Sequence, residues 1–368
     1  MPAPAEFADR VVRFERGDCW LLANPRAGRG RAAGVAAAVA RAVRRAGWRV
    51  TVQTEHPATG LPAGDRPQAV IALGGDGTIR AAVAALLDRF GDDPPAVLPV
   101  PMGTANLLGQ YLGLPRPVWH IAAEGSWQLA AALYDKTAKL VVDGRLPRRA
   151  RHAIRRAGYK LAPHARLAQR RVAARTLASL ETFEATRLDV GTANGEAFLL
   201  MAGVGFDAHV VSRLDRRRKR GGGAIGMTSY ALPALDAVVG YAFPPLTVRV
   251  DGERIWGPTP GIVMVANVPQ YGTGFPIVPD ATADDGLLDV VCLPVSNKLA
   301  LARLFALAAT GKHLSLKNGA ARRGRRVTVS ADADGVPVQV DGDPGGTLPL
   351  DIAVRPAAVP FVSLDAAE

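Results

Sequence analysis

An α/β amino-terminal domain built on a parallel sheet, followed by a mainly antiparallel β domain, is predicted by three features of the sequence. Between Asp18 and Leu114 short apolar runs alternate with alanine-rich helical stretches, the rhythm of βαβ units. From Glu184 onward the texture changes to short alternating or apolar runs between turn residues. Glycine clusters follow the first domain's strands, at the carboxyl ends where open α/β sheets bind ligands.

In the first half, Cys19 to Ala23 reads as a strand, Arg31 to Ala46 as a helix and Arg49 to Thr54 as a strand. Ala69 to Leu73 and Ala96 to Val100 are further strands, and Ile79 to Phe90 is a helix. In the second half the predicted strands are Thr186 to Val190, Ala197 to Ala202, Leu246 to Val250, Gly261 to Ala266, Leu287 to Leu293, Arg326 to Ser330 and Val336 to Val340. Ser229 to Val239 and Lys298 to Ala309 are helical interludes.

A chain of 368 residues exceeds one ordinary core, and 48% hydrophobic with 21% charged residues is a globular composition. The net charge of +12 points to an anionic partner. Gly144 to Leu180 holds ten Arg and Lys160 with no Asp or Glu, so nearly all of that excess is local. Cys19 and Cys292 are too few and too far apart for a disulfide framework or a zinc site, and read as buried hydrophobes. No apolar run reaches the ~18 to 20 residues of a membrane-spanning helix, and Leu299 to Ala309 is interrupted by Arg303. The amino terminus lacks the pattern of a secretion signal, so a cytoplasmic protein peripheral to the inner face of the membrane is expected.

Three turns carry the chemistry. Asn24 to Gly28 joins a strand to a helix, where backbone amides and the helix dipole suit phosphate, although an ordinary turn has the same composition. Gly74, Gly75, Asp76, Gly77 and Thr78 follow the strand ending at Leu73; the glycines admit close backbone approach, and the alternative is a helix N-cap by Asp76 or Thr78. Pro101 to Asn106 forms the third, with Gly103, Thr104 and Asn106.

These turns, together with the run Asp285, Gly286, Leu287, Leu288, Asp289, resemble the successive signatures of the diacylglycerol kinase catalytic family, in order and approximate spacing. The resemblance implies a nucleotide-binding domain over residues 1–125, similar to NAD kinases and phosphofructokinases, and an Arg-rich helical insert or linker over 126–183. It further implies a β-sandwich lipid-acceptor domain over 184–345 and a segment, 346–368, returning to the first domain. ATP and Mg2+ are the implied cofactors. Asn24, Gly28, Thr54, Gly74 to Thr78, Ile79, Arg80, Gly103, Thr104 and Asn106 are the implied ATP contacts, with Asp76 orienting phosphate or a catalytic magnesium. The resemblance maps a metal to Thr282, Asp285 and Leu287; read locally, the same run is a polar turn before a strand.

Gln339 to Asp343 resembles the family's late motif, whose final acid deprotonates the lipid hydroxyl, here Asp343. Val250 to Glu253 repeats the pattern, Asp-Gly being a favoured hairpin turn, so Asp343 is preferred by chain position. Asn267, Tyr271, Gly272, Gly274 and Phe275 resemble a cleft-lining stretch, and Phe206 with Asp207 another inner signature. The chain departs from the pattern with Asp rather than Glu at 343, and with Arg80 and Ala82 where Asn or His and Glu are common.

The expected function is an ATP- and Mg2+-dependent lipid kinase acting on a lipid such as diacylglycerol, with peripheral contact to anionic membrane through Gly144 to Leu180 and a homodimer allowed by the resemblance. An NAD kinase-like small-molecule kinase, or a non-catalytic basic binding protein with a degenerate kinase site, are the alternatives. Nucleic acid is not the expected partner, since Tyr159 is the one stacking aromatic in the basic segment.

Overall fold

The computed structural model describes residues 16–25, 27–30, 32–103, 105–114, 172–174, 176, 185–219, 241–272 and 275–362. Thr104, the helix predicted over Ser229 to Val239 and nearly all of Gly144 to Leu180 lie outside the described residues.

The first domain runs β1 (Asp18–Ala23), α1 (Ala32–Arg45), β2 (Arg49–Gln53), β3 (Ala69–Gly74), α2 (Asp76–Phe90), β4 (Ala96–Pro101) and α3 (Leu107–Tyr111). All four strands are parallel, in the order β2, β1, β3, β4. Helices cover both faces. Cys19, Leu21 and Ala23 of β1 pack with Val35, Val39 and Val43 of α1, while Trp20 and Leu22 pack with Ile79, Val83 and Leu86 of α2. Burial on both sides is why these strands read as unbroken apolar runs. The second helix starts at Asp76, earlier than the predicted Ile79, because Gly75 is its extended N-cap and Asp76 suits the positive end of the helix dipole.

The second half contains β5 (Ala185–Ala193), β6 (Glu196–Phe198), β7 (Met201–Val204), α4 (Phe206–Lys219), β8 (Pro245–Val250), β9 (Glu253–Ala266), β10 (Gln270–Tyr271), β11 (Phe275–Pro276), β12 (Leu288–Pro294), α5 (Lys298–Ala309), β13 (Ala320–Gly324), β14 (Arg326–Ala331), β15 (Pro337–Val340), β16 (Asp343–Thr347) and β17 (Leu350–Val362). The single strand predicted over Ala197 to Ala202 is two. The amides of Leu199, Leu200 and Met201 all donate to the Asp341 carboxylate at 2.9 Å, which interrupts the strand there.

Strand β9 belongs to two layers. Its first part pairs with β8, and its second, from Gly261, pairs with β12 and β7. Val248, Val250, Val327, Val329 and Ile352 from one layer meet Val263, Val265, Val290, Cys292, Val338 and Val340 from the other. The result is an antiparallel β-sandwich. Strand β17 is antiparallel to β14 and β5, and at Phe361 it pairs in parallel with Val97 of β4, so one sheet continues from the sandwich into the first domain.

Candidate active site

The glycine turns converge at the carboxyl end of the parallel sheet. Asn24 N donates to Leu73 O at 3.1 Å and Met102 N to Gly74 O at 2.7 Å, tying the ends of β1 and β4 to that of β3. A Cβ placed on Gly103 would lie 2.7 Å from the Gly75 Cα, so these two backbones touch where only glycine fits. Asn24 Nδ2 donates to Thr78 Oγ1 at 3.1 Å, joining the first turn to the second. Asn106, in the left-handed region at φ 51°, closes the third turn: Oδ1 accepts from Gly103 N and Nδ2 donates to Gly103 O.

Other predicted residues take different places. Gly28, with φ 58°, lies in a short 3-10 turn, and Thr54 is exposed just past β2. The Asp76 carboxylate accepts from Leu107 N and Leu108 N, both at 3.2 Å, and so caps α3. Burial raises its pKa against the pull of these amides. Ile79 and Ala82 are wholly buried beneath α2, so Ala82 is a packing residue here.

Arg80 reaches across to the second domain. Its Nη1 donates to Val340 O at 2.8 Å and its Nη2 to Asp343 Oδ2 at 3.0 Å, while Glu196 Oε1 stands 3.5 Å away. The same Asp343 oxygen lies 3.6 Å from where a Cβ on Gly77 would be. Asp343 is therefore held against the first turn of α2 with its side chain 44% exposed. Glu253, the residue with the matching local pattern, instead pairs with exposed Arg322 at 3.0 Å.

The acidic run does not assemble a cation cage. Asp285 Oδ1 accepts from Leu287 N at 3.0 Å, and Arg323 stands 3.2 Å from its Oδ2 and 3.0 Å from Asp289 Oδ1. Among the described residues no three acidic, His or Cys side chains gather to hold a metal. With its one carboxylate already shared between an amide and a guanidinium, the set Thr282, Asp285 and Leu287 does not fit a resident divalent ion, which prefers several free oxygens.

Three acids outside the predicted catalytic and metal-binding sets organise the second domain. Asp189, buried in β5, accepts from Gly286 N and Ala357 N, both at 2.7 Å, and burial pushes its carboxyl up to about 6. Asp341 is pushed up to about 6 by burial, against the pull of the Leu199 amide and then of Arg80. Asp207, on α4, accepts from the Tyr271 hydroxyl, and burial pushes it up to about 7. Its Oδ2 and the Gln339 Nε2 would each lie 2.6 Å from a Cβ on Gly203, and Gln339 Oε1 accepts from Gly342 N at 2.8 Å, beside Asp343. A lone Asp inside an apolar strand, as at Leu188 to Val190, was the available signal for such anchors.

The molecule is thus a nucleotide-type α/β sheet joined to a β-sandwich that brings Asp343 to the glycine turn opening α2. Residues 18–131 match the diacylglycerol kinase catalytic domain, and residues 200–363 match the YegS C-terminal NAD kinase beta sandwich-like domain. The chain thus carries a diacylglycerol kinase catalytic domain followed by a YegS-type sandwich domain, and is a phosphotransferase with an alcohol group as acceptor. It is 26% identical to a diacylglycerol kinase of Mycobacterium tuberculosis (strain ATCC 25618 / H37Rv) over 96% of this chain and 97% of that one. A diacylglycerol kinase of Bacillus subtilis (strain 168) is 22% identical, over 76% of this chain and 72% of its own length. The fold is similar to the crystal structure of a diacylglycerol kinase from Bacillus anthracis str. Sterne, with TM-score 0.60 at 17% identity, covering 96% of this chain and 99% of that one. No helix among the described residues is long and apolar enough to cross a membrane.

Proposed function

We propose that the protein transfers the γ-phosphoryl group of ATP, taken up as its magnesium complex, to a hydroxyl of a membrane lipid such as diacylglycerol. The observation that carries this reading is the position of Asp343, delivered by the second domain to the glycine turn that opens α2. Residues 1–125 supply the nucleotide side of the cleft and residues 184–345 the acceptor side.

The α2 amino terminus and the touching glycines Gly75 and Gly103 offer phosphate a backbone surface without side chains, where amides and the helix dipole favour negative charge. Asn24, Gly28, Thr54, Gly74, Gly77, Thr78, Thr104 and Asn106 complete the nucleotide contacts in this reading. Asp76 acts through α3, holding the third turn against the second. The lipid hydroxyl gives its proton to Asp343 as its oxygen attacks the γ-phosphorus in line, and the bond to the bridging oxygen breaks to release ADP. Arg80 orients Asp343, consistent with phosphoryl transfer depending mainly on positioning and charge.

The test is to incubate the protein with magnesium, γ-labelled ATP, vesicles of total bacterial lipid and, separately, NAD. Label in the organic phase supports the reading. Label in NAD alone would replace it with a small-molecule kinase, and label in neither would leave a binding protein.

A further inference from the structure

Helix α5 turns an apolar face to solvent. Leu299 is 81% exposed, Phe305 54%, and Leu314, just beyond the helix, 44%. Leu301 and Leu304 occupy the buried side, while Leu299, Ala302 and Ala306 share the outward stripe at helical spacing. His313 is buried and its Nε2 donates to Ile277 O at 2.8 Å, which fixes the turn presenting Leu314 to the body of the domain.

The charge around this face has one sign. Val290 to Ala331 contains eight Lys and Arg and no Asp or Glu. Arg322, Arg323 and Arg326 are matched by Glu253, by Asp285 with Asp289, and by Asp351. Lys298, Arg303, Lys312 and Lys317 are exposed and pair with no carboxylate among the described residues. Uncompensated cations beside outward apolar side chains are the pattern of a surface that meets anionic lipid. A second copy of the same face would bring like charges together.

The face adjoins the acceptor side of the cleft. The Phe305 ring stands edge-on to Phe206 with centroids 6.4 Å apart. Phe206 opens α4, whose Asp207 holds Tyr271, and α4 packs against β15 and β16, which carry Asp343.

We propose that Leu299, Phe305 and Leu314, with Lys298, Arg303, Lys312 and Lys317, dock the protein on an anionic phospholipid surface, which presents lipid to the cleft. This deepens the lipid-kinase reading and rests on it for its purpose, not for the binding itself. The test is flotation of the full chain with vesicles of phosphatidylglycerol and phosphatidylcholine, beside vesicles of phosphatidylcholine alone. Removing one basic residue near a lipid surface weakens binding about fivefold, so Lys298→Gln, Arg303→Gln and Lys312→Gln combined should weaken it about 100-fold. Leu299→Ser should weaken it about tenfold, and 0.5 M salt should release the wild type.

In parallel, phosphorylation of detergent-dispersed diacylglycerol should be unchanged in these variants, while phosphorylation of diacylglycerol within the vesicles falls with binding. Wild-type flotation of the triple variant, or no preference of the wild type for phosphatidylglycerol, overturns the docking face. Absence of wild-type phosphorylation in detergent strikes the kinase reading instead and leaves the flotation result to stand by itself.

Discussion

Arg80→Met retains the buried stem of Arg80 and removes its charged head, so it isolates the contact between the two domains. Arg80 is 14% exposed, and without it the Val340 carbonyl loses a charged donor, worth ~1.5 to 3 kcal/mol. Its pair with Asp343, 44% exposed and screened by solvent, adds no more than about 1 kcal/mol. A loss of about 3 kcal/mol lowers Tm by about 6 °C at ~2 °C per kcal/mol for a chain of this size. The loss should also depend on pH. Burial raises the Asp341 carboxyl to about 6 when folded, so the folded state binds more protons than the unfolded state between its ordinary value and about 6. Its contribution to stability therefore falls as pH rises through that window. Arg80 limits the rise, and without it the fall extends to higher pH, so the Tm deficit should be larger at pH 8 than at pH 5. Calorimetry of both proteins at the two pH values checks this. A deficit equal at both, or no deficit, refutes the placement of Arg80 against Asp341 and Asp343.

Three further outcomes are expected. Gly103→Ala puts a Cβ 2.7 Å from the Gly75 Cα and should part the two turns, weakening ATP binding about 5- to 150-fold by calorimetric titration on the scale of overpacking, ~1 to 3 kcal/mol. Asp207, raised to about 7 by burial, loses stability as pH climbs towards 7, so Asp207→Asn should flatten the Tm profile and gain on the wild type at pH 8 relative to pH 5. Because Arg323 already neutralises Asp285, magnesium without nucleotide should leave Tm unchanged, and a rise of several degrees would show a resident ion at that turn.

Much of the first domain was legible because its strands are buried on both faces and its turns need glycine. β1, β3 and β4 therefore announce themselves as apolar runs ending in glycine or asparagine. The sandwich was legible as strands but not in its pairing, since β9 changes partners at Gly261 through contacts distant in sequence. Helix α4 was missed behind the glycines that precede it, Gly203 and Gly205, and its own run of arginines, although Phe206, Val210, Val211 and Leu214 recur at helical spacing. Within the site, Asp251-Gly252 and Asp341-Gly342 adopt the same left-handed pair, with φ 48° and 86° against 50° and 82°. Local pattern could not separate Glu253 from Asp343; the arginine that meets each one does. The pairing of Arg80 with Val340 and Asp343 was not legible because these partners lie some 260 residues further along the chain.

The most direct test of the mechanism is the turnover of Asp343→Asn, measured with saturating magnesium-ATP and the lipid acceptor found by labelling. Asn keeps the shape and the Arg80 contact and removes the base, so kcat should fall by about 10²- to 10⁴-fold with Tm nearly unchanged. A folded Asp343→Asn protein that turns over at the wild-type rate would contradict Asp343 as the group that accepts the hydroxyl proton.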